Sequence, residues 1–176
     1  MRWILRVNPL LVCLGMLLAL AAWFWPRPSP SGWRLAQAVA PLPLLSQIMQ
    51  DNLSPNFPVD PGQMQVWRVQ IAGQRQPLYL VDTRVEEIKT QPLCGAMGCA
   101  FFGYIPQDTG FQRVLATYLM PHLPPGRTLI EPTTTLDQGL PRLVVTQQGT
   151  DGVQQYTLGF NGEVYEIQHI ETWARQ

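Results

Sequence analysis

The run Leu93-Cys94-Gly95-Ala96-Met97-Gly98-Cys99 places two thiols four residues apart, with a glycine inside each one. Gly95 and Gly98 permit positive φ and close approach of the flanking backbone, so the chain can double back and bring the sulfurs together. In an exported protein the default chemistry of such a pair is a disulfide, Cys94–Cys99, which pins a hairpin. Three sharper chemistries compete. A redox dithiol ordinarily has two intervening residues and a helix N-terminus to lower one thiol pKa. Here four residues intervene, and the following Ala100-Phe101-Phe102-Gly103-Tyr104-Ile105 reads as strand. A metal centre needs three or four ligands, and the only histidines are His122 and His169, both remote in sequence. A cysteine nucleophile needs a poised histidine base. His122 is wedged between Pro121 and Leu123-Pro124, and His169 falls at a strand end.

Other reactive residue types form no set. Glu86 and Glu87 are adjacent, so on a strand they point to opposite faces. Asp82-Thr83-Arg84 at a strand end reads as a local ion pair, with a ligand clamp as the sharper alternative. Trp67, Tyr79, Phe101, Phe102, Tyr104, Phe111 and Tyr118 are expected to fill the core or flank strands sooner than to form a stacking platform. The chain has a single lysine, Lys89, and no serine after Ser54. Phosphate-loop, HExxH, EF-hand and nucleophile-elbow patterns are missing. The sequence therefore assigns no catalytic, cofactor-binding or metal residue, and it points away from an enzyme. Twelve basic residues balance twelve acidic ones over 176 residues. Four of the basic residues lie before residue 41 with no acid among them, which leaves the body mildly acidic. Nucleic acid is a poor partner for such a body, because displacing counterions needs clustered Lys and Arg.

The elements that must carry these residues begin with an apolar run. Pro9–Trp25 carries no charge, and together with Trp3–Val7 it reaches the length that crosses a hydrocarbon core of about 30 Å. Trp3 lies near one end and Trp23 and Trp25 at the other, where indoles favour the membrane interface. Arg2 and Arg6 precede the run and should stay cytoplasmic. Residues 1–25 are thus expected to be a transmembrane signal-anchor, with a cleaved signal peptide as the alternative. Cys13 lies within the run as an ordinary apolar residue. Residues 26–41 read as a Pro-rich linker, extended by Pro26, Pro28 and Pro30.

Leu42, Leu45, Ile48, Met49 and Leu53 recur at helical spacing, which predicts one short amphipathic helix over about 42–53. The rest of 42–176 reads as strands punctuated by turns: Met64–Ile71, Pro77–Asp82, Cys99–Ile105, Phe111–Leu119, a short piece at Thr128–Glu131, Leu140–Thr146, Gln154–Phe160 and Glu163–Gln168. Asn161-Gly162 is the strongest hairpin signal. The expected fold class is α+β, mainly β: the helix packed on one antiparallel sheet of about six to eight strands, curled or split.

The Cys94-Gly95…Gly98-Cys99 loop, the strand with Gly139, Leu143, Val144 and Val145, and the terminal Phe160-Asn161-Gly162-Glu163-Val164-Tyr165 together carry a resemblance. Over about residues 78–168 the chain resembles a set of uncharacterised bacterial envelope proteins that pair an N-terminal signal or anchor with a C-G-x-x-G-C hairpin. Arg142 stands before Leu143 where the commoner pattern has Asp. Eighteen Gln, seventeen Pro and one Lys give the composition a cyanobacterial look. The resemblance implies an extracytoplasmic domain, in a periplasm or a thylakoid lumen, and implies no chemistry. The expected function is a membrane-anchored, non-enzymatic module that binds another protein or helps to assemble a complex. The alternative is an exported thiol-redox or small-molecule-binding protein that uses the Cys94–Cys99 loop.

Overall fold

Residues 32–52, 59–86, 91, 93–149 and 152–174 are described by the computed structural model. The expected transmembrane segment over 1–25 lies outside them, and among the described residues no helix is long and apolar enough to cross a membrane.

Among the described residues the fold is mainly β, as expected, but its ten strands form two antiparallel sheets in place of one sheet of about six to eight strands, curled or split. The first sheet contains β1 (Arg34–Leu35), β2 (Gln65–Val69), β3 (Leu78–Asp82), β4 (Cys94–Gly95), β5 (Gly98–Gln107) and β6 (Gly110–Leu119). Its order is β1-β2-β3-β5, with β4 and β6 also paired to β5. The second sheet is a meander of β7 (Ile130–Asp137), β8 (Leu140–Gln148), β9 (Gly152–Phe160) and β10 (Tyr165–Ala174), in the order β10-β9-β8-β7. Among the described residues two α-helices lie between β1 and β2 in the chain: α1 (Ala36–Val39) and α2 (Leu42–Asn52).

The first sheet is buried on both faces, which divides the domain into three layers. Alternation along β3 sends Leu78 and Leu80 toward the second sheet, and Tyr79 and Val81 toward the helices. Along β5, Phe101 joins the inter-sheet core, while Ala100, Phe102 and Tyr104 join the helix side. The mixed pattern of Met64–Ile71 has the same origin: Met64 and Val66 meet the helices, and Val69 faces the other sheet. The inter-sheet core is completed by Leu140, Leu143, Val145, Leu158 and Phe160.

Helix α2 meets the sheet through Leu44 and Ile48, one turn apart, while Leu42 and Met49 stay exposed. Its buried stripe is therefore rotated from the one that the apolar spacing suggested. The last turn explains the rotation. Asn52 Nδ2 donates to the Tyr104 hydroxyl at 2.9 Å, and that hydroxyl donates to Asp51 Oδ2 at 3.2 Å.

From Gly32 onward the expected linker belongs to the domain. Trp33 packs edge-on against Trp67 and Phe101, at 5.9 and 6.4 Å between ring centroids. Arg34 pairs with Val66, and Ala36 is fully buried. Strand β7 is also longer than expected. The residues Thr133–Thr135 bulge between the aligned pairs Pro132–Leu143 and Leu136–Pro141, which hides a strand behind a polar run. Phe160 and Tyr165 are joined by four residues, not two: Asn161 Oδ1 accepts from the backbone N–H of Glu163 and of Val164, each at 2.9 Å.

Candidate functional site

The two cysteines sit directly opposite one another, Cys94 on β4 and Cys99 on β5, and are joined by an S–S bond of 2.08 Å. Ala96 and Met97 form the tip of this small hairpin. Of the two glycines, Gly98 is the one the geometry requires. Its φ is +101°, and a Cβ there would fall 2.3 Å from the Leu119 carbonyl oxygen on β6. Gly95 has open space around it. Beyond the bridge, Ala100 N donates to Leu93 O at 2.8 Å, and the Ala100 carbonyl accepts the Thr83 hydroxyl at 2.9 Å. The hairpin is thereby sewn to the end of β3.

That junction forms one wall of an open cleft of about 510 Å³, lined by Gln65, Asp82, Arg84, Gln91, the disulfide and His122. A neighbouring cleft of about 470 Å³ shares Asp82 and Arg84, and adds Trp33, Phe101 and Arg127. Asp82 is only 5% exposed. Its carboxylate accepts from the Arg84 backbone N–H at 3.1 Å, from Nε at 2.8 and 2.9 Å, and from Nη2. The guanidinium carbon lies 5.6 Å from the Phe101 ring centroid. Hydrogen bonding to Asp82 raises the Arg84 pKa above its ordinary value, so the guanidinium stays charged. The local ion pair expected for Asp82-Thr83-Arg84 is present. Glu86 is exposed, and Glu87 lies outside the described residues.

The second feature is an edge. Strands β7 and β10 border the second sheet. β7 carries Pro132 and the Thr133–Thr135 bulge, both of which discourage pairing with another strand. β10 carries no proline, and every residue from Glu166 to Trp173 is exposed. Its register on β9 slips between Ile167 and His169. There the Gln168 side chain crosses Gly159, where a Cβ would fall 1.8 Å from Gln168 Nε2. The slip leaves Ile167 beside Leu158 and Ile170 beside Tyr156, so both isoleucines share the face that elsewhere covers the core. They nevertheless remain 57% and 52% exposed. On the opposite face His169 Nε2 lies 3.3 Å from Glu171 Oε1. Arg127 stacks on Trp173, 5.0 Å from the ring centroid.

Sequence reasoning joined Cys94 to Cys99 and Asp82 to Arg84, but gave no sign that the two pairs share a cleft with His122. His169 is far from that cleft, on β10. Of the aromatics expected to fill the core or flank strands, Tyr118 is exposed on β6. The exposed edge was missed because Glu163–Gln168 was read as a short closing strand. The signal was present in the β-branched and aromatic Ile170, Thr172 and Trp173, which favour continuing the strand. Among the described residues, no three His, Cys, Asp or Glu side chains come together to hold a metal ion. No family model matches the chain, nor does any curated protein or solved structure.

Proposed function

We propose that the chain is a non-enzymatic assembly module, held outside the cytoplasm by its apolar N-terminal segment, that binds protein by accepting a strand along β10. The observation that carries this reading is the exposure of Glu166–Trp173 on an edge that also presents Ile167 and Ile170. An unpaired edge offers backbone donors and acceptors to an added strand, and the exposed side chains set its specificity. The disulfide supports an oxidising compartment. The resemblance to anchored envelope proteins supports the same location.

The test is amide exchange and photo-crosslinking on the full chain in its own membranes. A crosslinker at Thr172 should capture one protein in stoichiometric amount, one at Thr134 on β7 should not, and exchange across Glu166–Trp173 should slow in the captured complex. Unchanged exchange along β10 would overturn the proposal.

A second reading is favoured by the cleft beside the disulfide, where Arg84, His122 and the bridge share one wall. That arrangement suits a small ligand or a thiol exchange partner. Titrating the full chain against thiol–disulfide buffers separates it: an exchange-active pair equilibrates with them, and a structural bridge stays oxidised.

A further inference from the structure

We infer that the strand accepted by β10 is β10 of a second copy, paired antiparallel about a two-fold axis through Ile170, which joins two four-stranded sheets into one of eight. This rests on the proposed role of the β10 edge and names its partner.

The register follows from three constraints. In an antiparallel pair, two residues face each other only when their backbone groups point the same way, so residues an even number apart are matched. A symmetric pairing of β10 with itself therefore has its axis through a residue. An axis through Glu171 sets two carboxylates against each other. An axis through His169 sets two imidazoles together and, across the slip, faces Glu171 with Glu166, twice. An axis through Thr172 leaves Glu171 facing Trp173, and the strand ends at Ala174. The axis through Ile170 alone pairs most of the strand without setting like charges or imidazoles against each other.

On one face, Ile170 meets Ile170 of the second copy. The slip at Gln168 then brings Ile167 opposite Thr172 of the second copy, so apolar surface exposed in the single chain is covered. On the other face, His169 stands opposite Glu171 of the second copy, twice. Because His169 and Glu171 already approach to 3.3 Å within one strand, the four side chains alternate donor and acceptor around the axis. The slip is thus no guard against pairing. It sends Gln168 back over Gly159 and aligns two isoleucines on the face that pairing would cover.

The experiment uses the full chain in detergent or lipid discs. A Cys13→Ser, Ile170→Cys variant should oxidise to a covalent dimer with the Cys94–Cys99 bridge intact. A Cys13→Ser, Thr134→Cys variant, reporting the other edge, should give at least about tenfold less. His169→Glu sets an acid against Glu171 across the axis and should weaken dimerisation at least about tenfold, while adding Glu171→Arg restores it. Unchanged circular dichroism and melting show that these exposed positions leave the fold intact. A wild-type chain that sediments as a monomer, a dimer indifferent to His169→Glu, or no Ile170→Cys crosslink overturns the inference. If β10 then crosslinks to a different protein, the edge reading stands and the self-pairing falls. If β10 captures neither, both fall.

Discussion

Tyr104→Phe should reverse its effect on stability between neutral and alkaline solution. Tyr104 is fully buried, and burial is the main cause that raises its phenol from 10.0 to about 12. The Asn52 hydrogen bond works in the opposite direction, and the Asp51 charge reinforces the rise. A raised pKa means that the fold favours the neutral phenol. Its contribution is intact below about pH 10, where the unfolded chain titrates, and is lost as pH rises toward about 12. Linkage makes the loss about 1 kcal/mol at pH 11 and about 2 kcal/mol at pH 12. The substitution removes this loss. It also removes the hydroxyl that joins Asn52 and Asp51 of α2 to β5, at a cost of about 1 to 1.5 kcal/mol. Asn52 Nδ2 keeps one of its two donations, to Ile48 O at 3.0 Å, and loses the other. Wild type should therefore be the more stable protein at pH 8, and the variant the more stable near pH 12, with the curves crossing at about pH 11. Tyr165, whose pKa is also raised by burial and by Asp137, is common to both proteins and cancels in the difference. Urea unfolding followed by tryptophan emission at stepped pH measures the gap. A gap that stays constant from pH 8 to pH 12 would refute the reasoning.

Leu143→Ala empties a fully buried position between the two sheets and should cost about 3 to 5 kcal/mol, read as a fall in the urea midpoint with unchanged slope. Leu42→Ala, on the exposed side of α2, should change that midpoint by less than about 0.5 kcal/mol. Replacing Cys94 and Cys99 by Ser should cost about 2 kcal/mol, because the loop they close is short, and thermal unfolding should show the loss as a lowered Tm. Gly98→Ala should destabilise more than Gly95→Ala in the same melting assay, since only Gly98 combines positive φ with a backbone oxygen where the methyl would sit.

Individual strands were legible because turns and alternation are local. The second sheet's β8 and β9 are bounded by Gly139, Gly152 and Asn161-Gly162, and they fall where the sequence places them. How the strands divide into sheets was not legible, because that depends on which faces meet. Met64, Val66 and Trp67 blur the alternation of β2 since both its faces are covered, and only the fold reveals by what. β7 was cut short because Thr133–Thr135 read as loop chemistry, yet the bulge lies inside the strand. The disulfide was legible from spacing. The cleft around it was not, since Asp82, Arg84 and His122 come together only through β3, β5 and the segment after β6. The length of β10 was legible in Ile170, Thr172 and Trp173, but exposure on both faces is a property of what fails to cover a strand.

The start of the described chain carries a mechanical consequence. Gly32 lies against the Trp67 indole, Trp33 packs between two rings, and β1 pairs with β2 through two residues only. A pull on the chain from the N-terminal side therefore meets the two tryptophans and the two-residue pairing before it reaches the buried Ala36, whose N–H donates to Met64 O at 2.8 Å. Residues 33–40 fully extended span about 25 to 30 Å, so their docking sets how close to the first sheet the preceding chain is held.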